Sequence, residues 1–102
     1  MDGKKILVVD DDAICGKSVL NFSKKKGIEA DVASSGKEAI DKIKANPSGY
    51  FLVMIDLYMP DMDGYQTAKE LKSIAGGNLG KLVVMSGGKL MLYLYYIYIM
   101  FR

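Results

Sequence analysis

Short apolar runs alternate with segments of helical periodicity along this chain, and that alternation limits the possible folds more than any other feature of the sequence. The apolar, β-branched runs predict four strands, at residues 6–9, 28–33, 50–55 and 81–85. The segments between them predict three helices, which should end at Gly27, at Asn46-Pro47 and at Gly76-Gly77. Strands that alternate with helices are joined by right-handed crossovers, so the sequence predicts a parallel sheet with helices on both faces.

Each predicted helix has an apolar face that should pack against the sheet. In the first helix we expect Ile14, Val19 and Phe22 to belong to the core. The second helix should begin at Ser34 or Ser35, because a serine side chain can accept a hydrogen bond from an unpaired amide of the first turn.

Composition excludes several classes of chemistry. The chain has 102 residues, enough for one domain, and it contains no histidine, so it has no Ser-His or Cys-His catalytic pair. Its lone cysteine, Cys15, cannot form an internal disulfide, and we therefore expect a reducing cytoplasm. A net charge of +2 is small for a nucleic-acid-binding protein, and the basic run at residues 24–26 predicts a solvated helix end. We expect no signal peptide, because residues 1–5 lead directly into the first strand pattern and not into a long apolar stretch.

Polar side chains follow three of the predicted strands at the point where each strand ends. These residues are Asp10, Asp11 and Asp12 after the first strand, Asp56 after the third and Ser86 after the fourth. In sheets of this kind ligands bind at the carboxyl ends of the strands, where the strand order reverses. We therefore expect these side chains to surround one cleft.

Carboxylates brought close together repel one another unless they share a proton or a cation. Because the adjacent loops contain no lysine or arginine, a hard cation such as Mg²⁺ is the expected guest of Asp10, Asp11 and Asp56. An oxygen of Asp56 could then attack a phosphorus atom in line, with the Ser86 hydroxyl donating a hydrogen bond to the transferred group. For Asp12 the simpler interpretation, a cap of the first helix, is favoured.

Three segments that contain these residues match a known pattern. They are residues 6–11 (ILVVDD), residues 54–64 (MIDLYMPDMDG) and residues 83–86 (VVMS). In this order and at this spacing they resemble the receiver domain of response regulators and hybrid sensor kinases, over residues 1 to about 87. The resemblance implies an α/β fold with a doubly wound parallel sheet, flavodoxin-like and chemotaxis-Y-like, with strand order 2-1-3-4.

The resemblance also implies a chemistry. Asp56 would be phosphorylated from a phosphohistidine on a histidine kinase or a histidine phosphotransfer protein. Asp11 and Asp56 would bind Mg²⁺ together with the backbone carbonyl of Tyr58, and Asp10 would bind it through water. Ser86 would be the switch hydroxyl. Such a domain assists its own phosphorylation and dephosphorylation and is not a turnover enzyme.

Three other motifs are incomplete. Acids after Pro60 match part of an EF-hand loop, but Met59 stands at the first ligand position. Gly80-Lys81 matches the end of a P-loop, but it leads into a predicted strand instead of a helix. A phosphatase of the haloacid dehalogenase type needs a second aspartate two residues after the nucleophile, where this chain has Tyr58.

The resemblance ends after Gly88. A receiver continues through a fourth helix, a fifth strand that ends in a lysine-proline pair, and a fifth helix, and none of these can be traced in residues 89–102. We therefore divide the chain into a partial receiver domain at residues 1–88 and an atypical apolar tail at residues 89–102. Without a fifth helix, strand residues such as Ile6 and Val8, or their neighbours, should be exposed on one face of the sheet.

The tail leaves alternatives open. From Leu90 to Phe101 it contains only Leu, Met, Tyr, Ile and Phe, which is too short a run for a membrane-spanning helix of about 20 residues, so no membrane insertion is expected. Gly87-Gly88 allows a hairpin that returns the tail as a strand, whereas the length slightly favours a helix. Translation of an AT-rich intron, or of sequence beyond a frameshift, would give the same composition. Three functions follow: a phosphoacceptor domain, a non-switching remnant that serves as a protein-interaction fragment, or association with a membrane surface through the tail.

Overall fold

The computed structural model describes residues 5–57, 59, 62–75 and 81–85 of the chain. These residues form, in chain order, β1 (Lys5–Val9), α1 (Ala13–Lys25), β2 (Ala30–Ala33), α2 (Gly36–Ala45), β3 (Tyr50–Asp56), α3 (Gly64–Ala75) and β4 (Lys81–Met85). The strands pair in parallel in the order β2-β1-β3-β4, so the predicted α/β fold and strand order are confirmed.

Helix α1 ends where the sequence predicted, but strand β2 begins two residues later than predicted. Gly27 has φ +72°, a conformation that glycine adopts without steric cost. The amide of Ile28 donates to the carbonyl of Ser23 at 2.9 Å, which commits this residue to the turn. Consequently β2 begins at Ala30 and not at Ile28. Lys24 and Lys25 are exposed in the last turn, where their charges face the negative end of the helix dipole.

A capping motif begins α2, and Ser35 is the cap. Its Oγ accepts a hydrogen bond from the amide of Glu38 at 3.0 Å. The Glu38 carboxylate in turn accepts hydrogen bonds from the amide of Ser34 at 2.9 Å and from its hydroxyl at 2.7 Å. The bond to Ser35 pairs an amide that the first helical turn would otherwise leave unsatisfied, and the two bonds from Ser34 hold the residue before the cap.

The sheet is packed on both faces. On one face, Leu7 and Val53 pack with Ile43 of α2 and Leu71 of α3, and all four are fully buried. On the other face, the fully buried Val19 of α1 packs into a second cluster of strand residues. The central strands β1 and β3 are therefore covered on both sides, and their carboxyl ends emerge from a rigid support.

The expected exposure of Ile6 and Val8 is wrong. Both side chains are 0% exposed, and Leu52 and Met54 on the same face are also buried. The prediction assigned the cover of this face to a fifth helix, whereas Val19 of α1 belongs to the same packed cluster as these residues.

The prediction that Ile14 belongs to the core is wrong, because 77% of its surface is exposed. Val19 and Phe22 do face the sheet. Since each residue of an α-helix turns about 100°, Ile14 lies about 140° around the helix from Val19 and cannot share its face.

No helix among the described residues is long and apolar enough to cross a membrane. The predictions for Tyr58, Gly76-Gly77, Ser86 and the tail at residues 89–102 lie outside the described residues.

Candidate functional site

The carboxyl ends of β1 and β3 bring three predicted site residues together. Val9 of β1 pairs with Ile55 of β3, so the residues that follow them lie side by side at the edge of the sheet. One carboxylate oxygen from each of Asp10, Asp11 and Asp56 lies within 4.8 Å of the other two. Residues 45 positions apart in sequence thus form one acidic cluster.

The three carboxylates differ in burial. Asp10 is 7% exposed, Asp56 is half-buried and Asp11 is exposed. Asp10 is also fixed at both ends: its amide donates to the carbonyl of Ala33 at 3.0 Å, and its Oδ1 accepts from the amide of Asp12 at 2.9 Å. Within the cluster, Asp10 is therefore buried and held in place, whereas Asp11 and Asp56 are accessible to solvent.

Asp12 lies beside this cluster and caps α1, as the sequence favoured. Its Oδ1 accepts a hydrogen bond from the amide of Ile14 at 2.9 Å, and its carbonyl accepts one from the amide of Gly16 at 3.0 Å. Helix α1 is thus joined directly to the acidic end of β1.

The loop after Asp56 is closed by hydrogen bonds of its own. The amide of Gly64 donates to the carbonyl of Leu57 at 3.0 Å, and Met59 is 8% exposed. Asp63 caps α3 by accepting from the amide of Gln66 at 2.8 Å. Sequence reasoning missed this cap, although an aspartate immediately before a helical segment is the usual signal for one.

The chemistry of the acidic cluster suits a hard cation. At the 4.8 Å limit of these distances, two carboxylate charges repel each other by about 3.5 kcal/mol at an effective dielectric constant of about 20. A divalent cation among them would replace this repulsion with attraction. The donors are oxygens, without nitrogen or sulfur, which is the ligand set of Mg²⁺ or Ca²⁺ and not of Zn²⁺ or Cu²⁺.

A second polar cluster lies at the opposite end of the sheet, and sequence reasoning did not find it. The hydroxyl of Tyr50 donates to Oδ2 of Asp31 at 2.6 Å, and Nζ of Lys5 lies 3.4 Å from the same oxygen. Burial alone would raise the pKa of Asp31, but the hydrogen bond from Tyr50 and the charge of Lys5 outweigh it and lower that pKa. Burial, followed by the bond to Asp31, raises the pKa of Tyr50.

This second cluster links three strands. Lys5 begins β1, Asp31 lies in β2 and Tyr50 begins β3, so the contacts span the amino-terminal end of the sheet. The sequence signal that could have revealed this cluster is Asp31, a charged residue inside a strand where an apolar one would be expected. Lys5 and Val9 stand at opposite ends of β1, so this second cluster and the acidic cluster lie at opposite ends of the strand.

Comparison with known proteins places this geometry in context. The family model described as "Response regulator receiver domain" matches residues 6–91. Probable histidine kinase 3 of rice (Oryza sativa subsp. japonica) is 36% identical over 69 residues, which are 68% of this chain and 7% of that protein. Response regulator mcs4 of Schizosaccharomyces pombe is 32% identical over 69 residues, which are 68% of this chain and 13% of that protein.

Solved structures of receiver domains have the same fold as this chain. The response regulator receiver domain (CheY-like) from Methylobacillus flagellatus is 29% identical with a TM-score of 0.74, over 84% of this chain and 71% of that chain. The receiver domain protein from Clostridium thermocellum has the same TM-score, 0.74, at 24% identity, over 92% of this chain and 74% of that chain, and shows the fold alone. The present chain spans a small part of the length of the kinases and regulator that it matches in sequence.

Proposed function

The chain belongs to the response regulator receiver domain family of two-component signalling, and from this premise we propose that Asp56 accepts a phosphoryl group from a phosphohistidine on a partner protein. The observation that carries the proposal is the cluster of Asp10, Asp11 and Asp56, with ligand oxygens within 4.8 Å, at the carboxyl ends of the two central strands. An acid that stands at this edge is positioned by the sheet and remains open to a partner.

Asp56 is the acid best suited to act as the nucleophile. It is half-buried, so a donor can reach it, and β3 supports it from within the sheet. One of its carboxylate oxygens forms a bond to phosphorus as the bond from phosphorus to the imidazole nitrogen breaks. The electron pair of the broken bond stays on that nitrogen, and because the other ring nitrogen carries a proton, the donor histidine leaves as a neutral imidazole.

Asp10 and Asp11 would hold Mg²⁺ together with Asp56, and the three carboxylates described above fit that ion. When bound, Mg²⁺ would neutralise the charge on the oxygens of the transferred group. The buried, hydrogen-bonded Asp10 keeps the donor atoms in place, and the exposed Asp11 leaves one side open to solvent. The parts predicted for the Tyr58 carbonyl and the Ser86 hydroxyl belong to the same proposal.

Under this proposal the chain is an acceptor and not a turnover enzyme. It receives one phosphoryl group and assists its later hydrolysis. The phosphodonor would be a histidine kinase or a histidine phosphotransfer protein, since curated relatives carry the name of histidine kinases. The exchange would take place in the cytoplasm, where the lone cysteine stays reduced.

Phosphorylation by a small donor tests the proposal without a partner protein. The chain is incubated with Mg²⁺ and phosphoramidate, whose phosphorus–nitrogen bond resembles that of phosphohistidine, and intact mass is measured by mass spectrometry. We expect one added phosphoryl group per chain, lost in Asp56→Asn and in the presence of EDTA.

Asp41→Asn is the matched control, because Asp41 is exposed on α2 outside the acidic cluster and its replacement should leave phosphorylation unchanged. Equal labelling of Asp56→Asn and the parent would refute the assignment of Asp56. A folded parent that takes up no phosphoryl group would favour the rival function, a remnant that serves only in protein interaction.

A further inference from the structure

Asp12 connects Asp10, the buried member of the acidic cluster, to the start of α1. Its amide donates to Oδ1 of Asp10 at 2.9 Å, and its own Oδ1 accepts from the amide of Ile14 at 2.9 Å. Its carbonyl accepts from the amide of Gly16 at 3.0 Å. Three hydrogen bonds thus meet at one residue that is not among the three clustered carboxylates.

We propose that Asp12 is a positioning residue for the cation site: by capping α1, its side chain fixes the backbone amide that orients the carboxylate of Asp10. The inference rests on the function proposed above and adds to it a residue that does not touch the ion. Asp12 acts through Asp10, and its charge is not what the site needs from it.

The orientation of Asp10 depends on this amide for a physical reason. Asp10 is buried, and a buried carboxylate requires donors to compensate for the water it loses. The backbone of Asp10 is fixed by its bond to Ala33, but rotation of its side chain is limited by the amide of Asp12. Donors that orient a metal-binding carboxylate commonly change metal affinity by about 10- to 100-fold when they are lost.

The side chain of Asp12 determines where that amide points. An N-cap residue has a backbone conformation distinct from the helix that follows, and its side-chain bond to the first turn maintains it. When the cap is lost, the first turn of α1 can fray, and the amide of residue 12 moves with it. Asn and Ser cap helices about as well as Asp, whereas Ala does not cap.

This difference separates positioning from simple charge. Asp12→Asn and Asp12→Ser both remove the charge and keep an oxygen that can accept from Ile14. Asp12→Ala removes the charge and the cap together. If the charge matters, the three variants behave alike; if the cap matters, only Asp12→Ala differs from the parent.

The experiment is a titration of the full chain with MgCl₂, followed by ¹⁵N–¹H correlation NMR, for the parent and the three variants. We expect affinity about tenfold weaker in Asp12→Ala, and within about threefold of the parent in Asp12→Asn and Asp12→Ser. A second measurement needs no metal: the amide of residue 12 should exchange with solvent faster in Asp12→Ala than in the other three proteins.

Ser35→Ala is the control for stability, because it removes the corresponding cap of α2 and leaves Asp10 untouched. Its Mg²⁺ affinity should equal that of the parent. Equal weakening in all three Asp12 variants would overturn the inference in favour of charge, and equal weakening in Ser35→Ala would overturn it in favour of general destabilisation.

The remaining outcomes separate this inference from the proposed function. Equal Mg²⁺ affinity in the parent and Asp12→Ala would overturn the inference and leave the cation site standing. Absence of Mg²⁺ binding by the folded parent would overturn the cation site, and the inference with it.

Discussion

Replacing Asp56 with Asn is expected to stabilise the protein when no divalent cation is present. The substitution keeps the size of the side chain and one oxygen acceptor, but it removes one of the charges that meet in the acidic cluster. The native state alone brings these charges together, so their repulsion lowers the free energy of unfolding. Relief of that repulsion in Asp56→Asn should therefore raise the free energy of unfolding.

The geometry sets the magnitude. The carboxylate oxygens lie within 4.8 Å of one another, and two unit charges at that limit repel by about 3.5 kcal/mol at an effective dielectric constant of about 20. Screening by salt at about 0.15 M, with a Debye length of about 8 Å, reduces this to about 2 kcal/mol. The pair with the buried Asp10 supplies most of it, because Asp11 is exposed. A gain of about 1–2 kcal/mol corresponds to a rise in Tm of roughly 10 °C for a domain of this size.

Urea unfolding followed by far-ultraviolet circular dichroism, in EDTA and then in excess Mg²⁺, measures the effect. In EDTA, Asp56→Asn should exceed the parent in stability, and the difference should shrink as NaCl is added. Mg²⁺ should stabilise the parent and have little effect on the variant. Asp41→Asn should match the parent throughout. A variant no more stable than the parent in EDTA at low salt would refute the electrostatic reasoning.

Two further predictions concern the scaffold. Tyr50→Phe should lower the free energy of unfolding at pH 7 by about 1 kcal/mol, because it removes the hydrogen bond to Asp31. The folded pKa of Asp31 lies below its usual value of 3.8, so the bond stabilises the protein above that pH and its contribution fades as pH falls through the folded pKa. Urea unfolding should therefore show a smaller difference in stability between Tyr50→Phe and the parent at pH 2 than at pH 7. The same difference at both pH values would contradict this cause. Gly36→Ala would place a Cβ 2.6 Å from Oγ1 of Thr67, and should destabilise by about 1–3 kcal/mol despite the better helix propensity of alanine. Adding Thr67→Ala should recover part of that loss in thermal unfolding, and a stabilising Gly36→Ala would show that α2 and α3 are less closely packed than described.

Much of the fold and of the acidic site could be predicted because both depend on local patterns. Apolar runs bounded by Gly27 and by Asn46-Pro47 gave the elements to within two residues. The carboxyl ends of parallel strands meet at one edge, so Asp10 and Asp56 were expected to be neighbours before any distance was known.

Other features depend on contacts between distant segments. Ile6 is buried in a cluster that includes Val19 of α1, and the bond between Tyr50 and Asp31 follows from the register of β1 with its two neighbours. Asp63, one of the acids that match part of an EF-hand loop, is the cap of α3. No local pattern distinguishes these outcomes, because each depends on which segment lies opposite.

The sequence by itself determined which residue types stand at the strand ends and in what order, since apolar periodicity and turn residues act locally. The tertiary structure decided how those residues differ. Asp10 and Asp11 are adjacent in the chain, yet one is buried and hydrogen-bonded and the other is exposed. Asp10 directly follows β1 and bonds to the carbonyl of Ala33 in β2 and to the amide of Asp12, whereas Asp11 lies in the bend before α1. Only the placement of β2 and α1 beside the end of β1 decides this difference.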